Sequence, residues 1–135
     1  MTDGTIDHIG IATSSLDESQ QLWAILGFTK GEDQINSEHG VKIRFMHGNN
    51  STRIELLEPL GDDTTVGRII YKNGPGVQQI AVRVADIEET ISRLLSAGVR
   101  MVSEAPTLGA DGHRIAFVHP SSAGGVLIEL VESSK

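Results

Sequence analysis

The sequence predicts an α+β fold of two tandem βαβββ modules whose strands line a cupped mixed sheet, with the helices outside it. Two observations carry that expectation. The stretch "IDHIGIATSSLDESQQLWAILGF" (6–28) aligns without gaps on "VQQIAVRVADIEETISRLLSAGV" (77–99), so that His8 falls on Gln79 and Gly27 on Gly98 at an offset of 71. The repeat then continues in order: "GVKIRFMHG" (40–48) matches "GHRIAFVHP" (112–120) at an offset of 72, and "IELLE" (54–58) matches "IELVE" (128–132) at 74. Self-similarity kept over this length means a duplicated structural unit. Equivalent residues of the two copies are therefore expected to converge on one central site.

Each copy opens on a β-branched apolar strand, marked by Ile9 and Ile11 in the first and Ile80 and Val82 in the second. A helix follows, announced by a capping pattern, Ser15-x-x-Glu18 and Asp86-x-x-Glu89. Apolar residues at helical spacing then run through Leu22, Ile25 and Leu26, and through Ile91, Leu94 and Leu95, before each helix stops at Gly27 or Gly98. Three strands are expected after it, near 28–33, 41–47 and 52–58 in the first copy and near 99–104, 113–118 and 125–131 in the second. The modules thus span about 4–60 and 75–133 of a single 135-residue domain, and the connector 61–74 is expected to hold a short helix around Val66–Tyr71.

A net charge of −7 and a pI near 5.1 oppose an extended nucleic-acid surface, because phosphate contacts require concentrated Lys and Arg. There is no cysteine, so disulfides and thiolate ligands are excluded. The first residues, "MTDGTIDHIG", lack the basic and apolar regions of a signal peptide, and no apolar run reaches the length of a membrane span, so a cytoplasmic protein is expected.

Strand parity then selects candidate site residues. If Ile9 and Ile11 pack under the helix, His8 points to the opposite face; by the repeat, Gln79 takes the same place and Gln78 matches Asp7. In the last strands Glu55 lies between Ile54 and Leu56, and Glu129 between Ile128 and Leu130, so both glutamates share the face opposite those apolar side chains. A buried carboxylate costs several kcal/mol, of order 3–5, unless it is paired or bound to a cation. His8, Glu55, Gln79 and Glu129 therefore form a candidate ligand set of one imidazole nitrogen and three oxygen donors, suited to one divalent ion such as Zn²⁺, Co²⁺, Mn²⁺ or Ni²⁺. Taken singly, each has a plainer reading as a hydrogen-bonded or surface side chain; it is the duplication that groups them. His47 and His119 are symmetry mates at strand ends, each suited to capping a turn, with His119 also a candidate substrate contact. Trp23 is expected to pack its helix, and Lys42, Arg44, Arg53 and Arg114 to form salt bridges rather than an anion site.

With these residues placed, the sequence resembles the vicinal-oxygen-chelate (glyoxalase/bleomycin-resistance) superfamily and, within it, the methylmalonyl-CoA epimerases, through "IDHIGIA", "EHGVKIRFMHGNNSTRIELLEP" and "GADGHRIAFVHPSSAGGVLIELVE". The resemblance implies that His8, Glu55, Gln79 and Glu129 ligate a metal and that Glu38 is a general base. It further implies an acyl-CoA substrate, a homodimer, and epimerisation at C2 of methylmalonyl-CoA or a similar 2-substituted malonyl thioester. Removal and return of the C2 proton on opposite faces would fall to Glu38 and Glu129. Where such epimerases carry His-His this chain has Gln78-Gln79, and Ser121 stands where they carry a lysine expected to meet coenzyme A phosphate; Asp111 and His113 also depart from the pattern. A glyoxalase-type isomerase and a non-catalytic small-molecule-binding module of the same fold are the alternative expectations.

Overall fold

The computed structural model describes residues 4–37, 40–109 and 112–133. Its elements run β1 (Thr5–Ala12), α1 (Leu16–Ile25), β2 (Thr29–Asn36), β3 (Val41–His47), β4 (Arg53–Pro59), α2 (Thr65–Asn73), β5 (Gly76–Val84), α3 (Ile87–Ser96), β6 (Thr107–Leu108), β7 (Arg114–Val118) and β8 (Leu127–Glu132). Two compact units are formed, one of His8–Gln78 and one of Met1–Asp7 with Gln79–Lys135.

In the first unit β1 pairs in parallel with β4, β4 antiparallel with β3, and β3 antiparallel with β2. Leu16, Met46, Ile54 and Leu56 form a buried cluster, with Ile9, Ile11, Trp23 and Phe28 packed against it. Ile9 and Ile11 thus lie on the α1 side, as strand parity predicts, and Trp23 packs there edge-on to Phe28 at 5.3 Å between ring centroids. A second cluster, Ala12, Val41, Ile43 and Leu57 with Phe45 and Ile70, lines the other face and ties α2 to it.

The second unit repeats the plan: β5 runs parallel to β8, β8 antiparallel to β7, and β7 antiparallel to β6. Its core joins Ile87 and Ile91 of α3 to Met101, Ala116, Val118 and Leu130. One expectation fails here. The span 99–104 forms no strand beyond an isolated bridge between Met101 and Val118, and the short strand comes later, at Thr107–Leu108. Ser103 bonds locally, its Oγ donating to the Ala105 carbonyl at 3.3 Å and accepting from the Ala105 N–H at 3.5 Å, and Pro106 brings no N–H to a ladder.

The helices start as the capping patterns predict. Ser15 Oγ accepts from the Glu18 N–H at 3.2 Å, Asp86 Oδ1 accepts from the Glu89 N–H at 3.1 Å, and the connector helix is capped by Thr64 accepting from Gly67 at 3.0 Å. Gly27 (φ 101°) and Gly98 (φ 83°) take the left-handed backbone that ends α1 and α3. A further tie exists at both helix starts. Glu58 of β4 accepts from the Leu16 N–H at 2.8 Å, and its repeat mate Glu132 of β8 accepts from the Ile87 N–H at 3.1 Å. Each carboxylate meets a helix N-terminus, where backbone donors and the helix dipole both favour negative charge.

Lys42, Arg44 and Arg114 form the expected salt bridges. Arg114 is forked onto Glu132 at 2.9 and 3.0 Å, and Lys42 lies 3.7 Å from Asp33. Arg44, only 4 % exposed, makes a two-pronged bond to Asp33 (2.6 and 2.7 Å) and also donates to Asp17 and Gln20, both at 2.8 Å, joining β2, β3 and α1. The Arg44 hydrogen bonds hold the Asp33 and Asp17 carboxyls below their usual range, against the opposing effect of desolvation. A carboxyl depressed in the folded state stabilises the fold above its unfolded value near 3.8 and loses that contribution as pH falls through the folded value. Arg44→Met is accordingly expected to lower stability by about 2 kcal/mol at neutral pH. Urea melts across pH 2–7 check this: the deficit of the variant should shrink below about pH 4, and a deficit independent of pH would show that the carboxylates are not the cause.

Candidate active site

The face of the first unit opposite Ile9, Ile54 and Leu56 carries the sequence-selected His8 and Glu55. Both are buried, at 6 % and 7 % exposure. Strand register explains the meeting: Gly10 stands beside Glu55 in the parallel β1/β4 pair, so His8, two residues earlier, shares its face. His8 Nε2 lies 3.6 Å from Glu55 Oε1. The imidazole also sits edge-on to Phe45, with centroids 5.5 Å apart and planes at 90°. Phe45 pairs across the ladder with Glu55, carries the Arg53 guanidinium 4.6 Å above its ring, and stacks on His47 at 6.3 Å. Phe45 is not among the residues that the sequence singles out. The available signal was the Phe-x-His of "RFMH" and "AFVH", which places a ring beside the glutamate in both copies.

In the second unit Gln79 donates through Nε2 to Glu129 Oε1 at 3.0 Å. Ala81 stands beside Glu129 in the β5/β8 pair and Phe117 opposite it in the β7/β8 pair, the same arrangement that Gly10 and Phe45 make around Glu55. Glu129 is 8 % exposed. Donation by the amide nitrogen orients the Gln79 side chain so that its carbonyl oxygen, the atom with ligand chemistry, is turned from the carboxylate.

The neighbouring positions behave differently. Asp7, the repeat mate of Gln78, accepts from Arg83 Nε and Nη2 at 3.2 and 3.0 Å. Gln78 itself has its Oε1 buried with no hydrogen-bond partner among the described residues. His119 adopts the capping role foreseen for it: its Nδ1 accepts from the Ser121 N–H at 3.0 Å and opens the 3-10 turn Pro120–Ser122. Glu38 and Asp111 lie outside the described residues.

Each unit therefore presents a buried carboxylate beside one further polar side chain, an imidazole in one and an amide in the other. Among the described residues no three His, Cys, Asp or Glu side chains gather into a ligand cluster. The donor types in each unit are ones a divalent cation accepts, and a buried carboxylate is costly without a positive partner. No helix among the described residues is long and apolar enough to cross a membrane.

Comparison with known proteins agrees with this architecture. A family model described as the glyoxalase/bleomycin resistance protein/dioxygenase superfamily matches residues 7–117. The mitochondrial methylmalonyl-CoA epimerase of Dictyostelium discoideum is 38 % identical over 131 residues, covering 96 % of this chain and 78 % of that protein. The crystal structure of methylmalonyl-CoA epimerase from Mycobacterium tuberculosis superposes with a TM-score of 0.86 at 38 % identity, over 96 % of this chain and 88 % of that one. A methylmalonyl-CoA epimerase in complex with methylmalonyl-CoA and NH4+ superposes at 0.83 with 37 % identity, over 96 % and 94 %. Duplicated βαβββ units, paired glutamates at equivalent strand positions and similarity along nearly the whole chain lead to one conclusion: this chain belongs to the glyoxalase/bleomycin resistance protein/dioxygenase superfamily.

Proposed function

We infer that the chain is an epimerase that interconverts the C2 epimers of methylmalonyl-CoA or a similar 2-substituted malonyl thioester by proton transfer. The observation that carries this reading is the similarity to methylmalonyl-CoA epimerases over 96 % of the chain, supported by the buried Glu55 and Glu129, each beside one further polar side chain. His8, Glu55, Gln79 and Glu129 are proposed as the ligands of one divalent cation. When bound, such an ion would polarise the thioester oxygen and stabilise the charge that develops there.

The chain's own residues then have distinct tasks. Epimerisation requires a proton to leave one face of C2 and return to the other, so two acid–base groups must flank that carbon. Glu38 and Glu129 are proposed for these roles. The apolar cluster of Ala12, Val41, Ile43 and Leu57 shares the face of His8 and Glu55 and keeps water from that surface, which strengthens electrostatic interactions there. His119, its Nδ1 occupied by the turn, has Nε2 to offer a substrate, and Ser121 offers a hydroxyl; both are proposed as substrate contacts.

A homodimer is also proposed. The outward side of α1 exposes Leu22 (57 %) and Ile25 (84 %), whereas the equivalent positions of α3 carry Arg93 and Ser96. If α1 forms the dimer contact, light scattering should give twice the chain mass for the native protein and the monomer mass for Ile25→Glu. A native monomer would overturn the proposal.

Proton transfer at C2 predicts loss of the C2–H signal of methylmalonyl-CoA in deuterated water, followed by NMR with each candidate divalent ion present. Glu38→Gln should slow that exchange by about 10²-fold or more. Absence of exchange with every ion would refute the epimerase reading. For the ion itself, calorimetric titration with Co²⁺ should give one site per chain, and Glu129→Gln should weaken it by at least about tenfold. Gln79→His, which restores an imidazole, should tighten it.

A further inference from the structure

His8 of β1 meets Phe45 of β3 across the intervening strand β4, and the ring that receives the imidazole belongs to a column of side chains. The two rings stand edge-on at 5.5 Å with their planes at 90°, an arrangement that aromatic quadrupoles favour. Phe45 is itself held. The Arg53 guanidinium lies 4.6 Å over its ring, and His47, two residues along the same face of β3, stacks on it at 6.3 Å with 30° between planes. His47 rests in turn on Gly31 of β2, where a Cβ would come within 2.7 Å of its Nε2 and 3.2 Å of the Phe45 carbonyl oxygen. Gly31 lies in the register shift between Lys30 and Asp33, so a bulge and an absent side chain together leave room for the column. Every member belongs to the first unit, as does Glu55.

An imidazole needs such support because its backbone does not orient it. Rotation of a histidine ring about its outer torsion is broad and close to two-fold rather than confined to staggered wells. A ring nitrogen donates its lone pair in the plane of the ring, so that plane decides where a cation could sit. Glu55 Oε1, 3.6 Å from His8 Nε2, is beyond the distance of a hydrogen bond that would fix it. An edge-on aromatic neighbour constrains the plane directly.

The two copies give an internal comparison. Phe117 takes the place of Phe45 opposite Glu129, but Leu127 stands at the position of Arg53, and His119 commits its Nδ1 to the Ser121 N–H. The donor there is Gln79, which its own hydrogen bond to Glu129 orients at 3.0 Å. Cation and stacked histidine thus brace the phenyl ring in the copy whose donor is an imidazole.

We propose that Phe45 is a positioning residue for His8: it sets the plane of the imidazole and so the direction in which a ring nitrogen can ligate a divalent cation. The ligand part of this rests on the reading of His8 given above, whereas the constraint on the ring does not.

The test separates the two. Phe45→Leu keeps an apolar side chain and removes the flat ring, and Phe45→Tyr keeps the ring. Carbon-13 relaxation of the His8 ring C–H bonds, assigned by their loss in His8→Gln, should report a rigid imidazole in the metal-free native protein and in Phe45→Tyr, with an order parameter near the rigid value of about 0.85; in Phe45→Leu it should fall below about 0.6. Calorimetric titration with Co²⁺ should show about tenfold weaker binding to Phe45→Leu and native affinity in Phe45→Tyr. Gly31→Ala, which displaces the column while leaving Phe45 in the sequence, should give a smaller loss of both order and affinity. Native order and affinity in Phe45→Leu would overturn the inference, as would a loss of affinity with the His8 ring still rigid, or a Phe45→Tyr variant as impaired as Phe45→Leu. If the native protein takes up no Co²⁺ and yet Phe45→Leu frees the His8 ring, the positioning stands and the ligand reading of His8 fails instead.

Discussion

The organisation of each unit depends on a carboxylate that ties the end of its last strand to the start of its helix. Glu58 reaches the Leu16 N–H, and Glu132 reaches the Ile87 N–H. These glutamates share strand parity with Ile54 and Leu56, and with Ile128 and Leu130, so the tie fixes which strand face turns toward the helix. Everything on the opposite parity, including Glu55 and Glu129, is thereby directed away from it. A one-residue slip of β4 would exchange the two sets and place a carboxylate against the apolar underside of α1. The same short motif, Ile-Glu-Leu-x-Glu, thus serves two purposes: one glutamate secures the architecture and the other is left for chemistry.

That division explains why two carboxylates persist inside apolar strands. The face opposite α1 in the first unit has an apolar floor, and a charge there loses much of its hydration. His8 near Glu55 and Gln79 bonded to Glu129 relieve part of that cost without adding positive charge of their own when the imidazole is neutral. On the proposed reading, a divalent ion offsets the remainder. On the same reading, an amide in place of an imidazole leaves this charge count intact and alters only the softness of the donor.

Most of the fold was legible because it is written twice. The capping residues, the glycine stops at 27 and 98, the connector helix and the two faces of β1 and β4 all follow from local pattern plus the repeat. The region 99–104 misled because Val99, Met101 and Val102 look strand-like, whereas Ser103 and Pro106 divert its backbone into local bonds. The pairs His8–Glu55 and Gln79–Glu129 were also legible, since strand parity alone puts each on one face. The aromatic and cationic setting of His8 was not, because a ring such as Phe45 reads as core until the ladder sets it opposite Glu55.

The residues that differ between the copies are as informative as those that agree. Arg44 has Ala116 as its mate and Arg53 has Leu127, so the first unit carries both the buried ion cluster and the guanidinium above Phe45. The connector helix, with Arg68 and Lys72, packs onto that same unit through Ile70. The two copies carry the same number of Lys and Arg, four each, so they differ in where those charges stand, and the imidazole of His8 has the amide of Gln79 as its mate. A substrate that bears its carboxylate and thioester at one end and its phosphates at the other is itself unsymmetric. On the proposed reading, divergence of the two copies supplies what a symmetric duplication could not: chemically different groups for a carbon that must lose a proton on one side and regain it on the other.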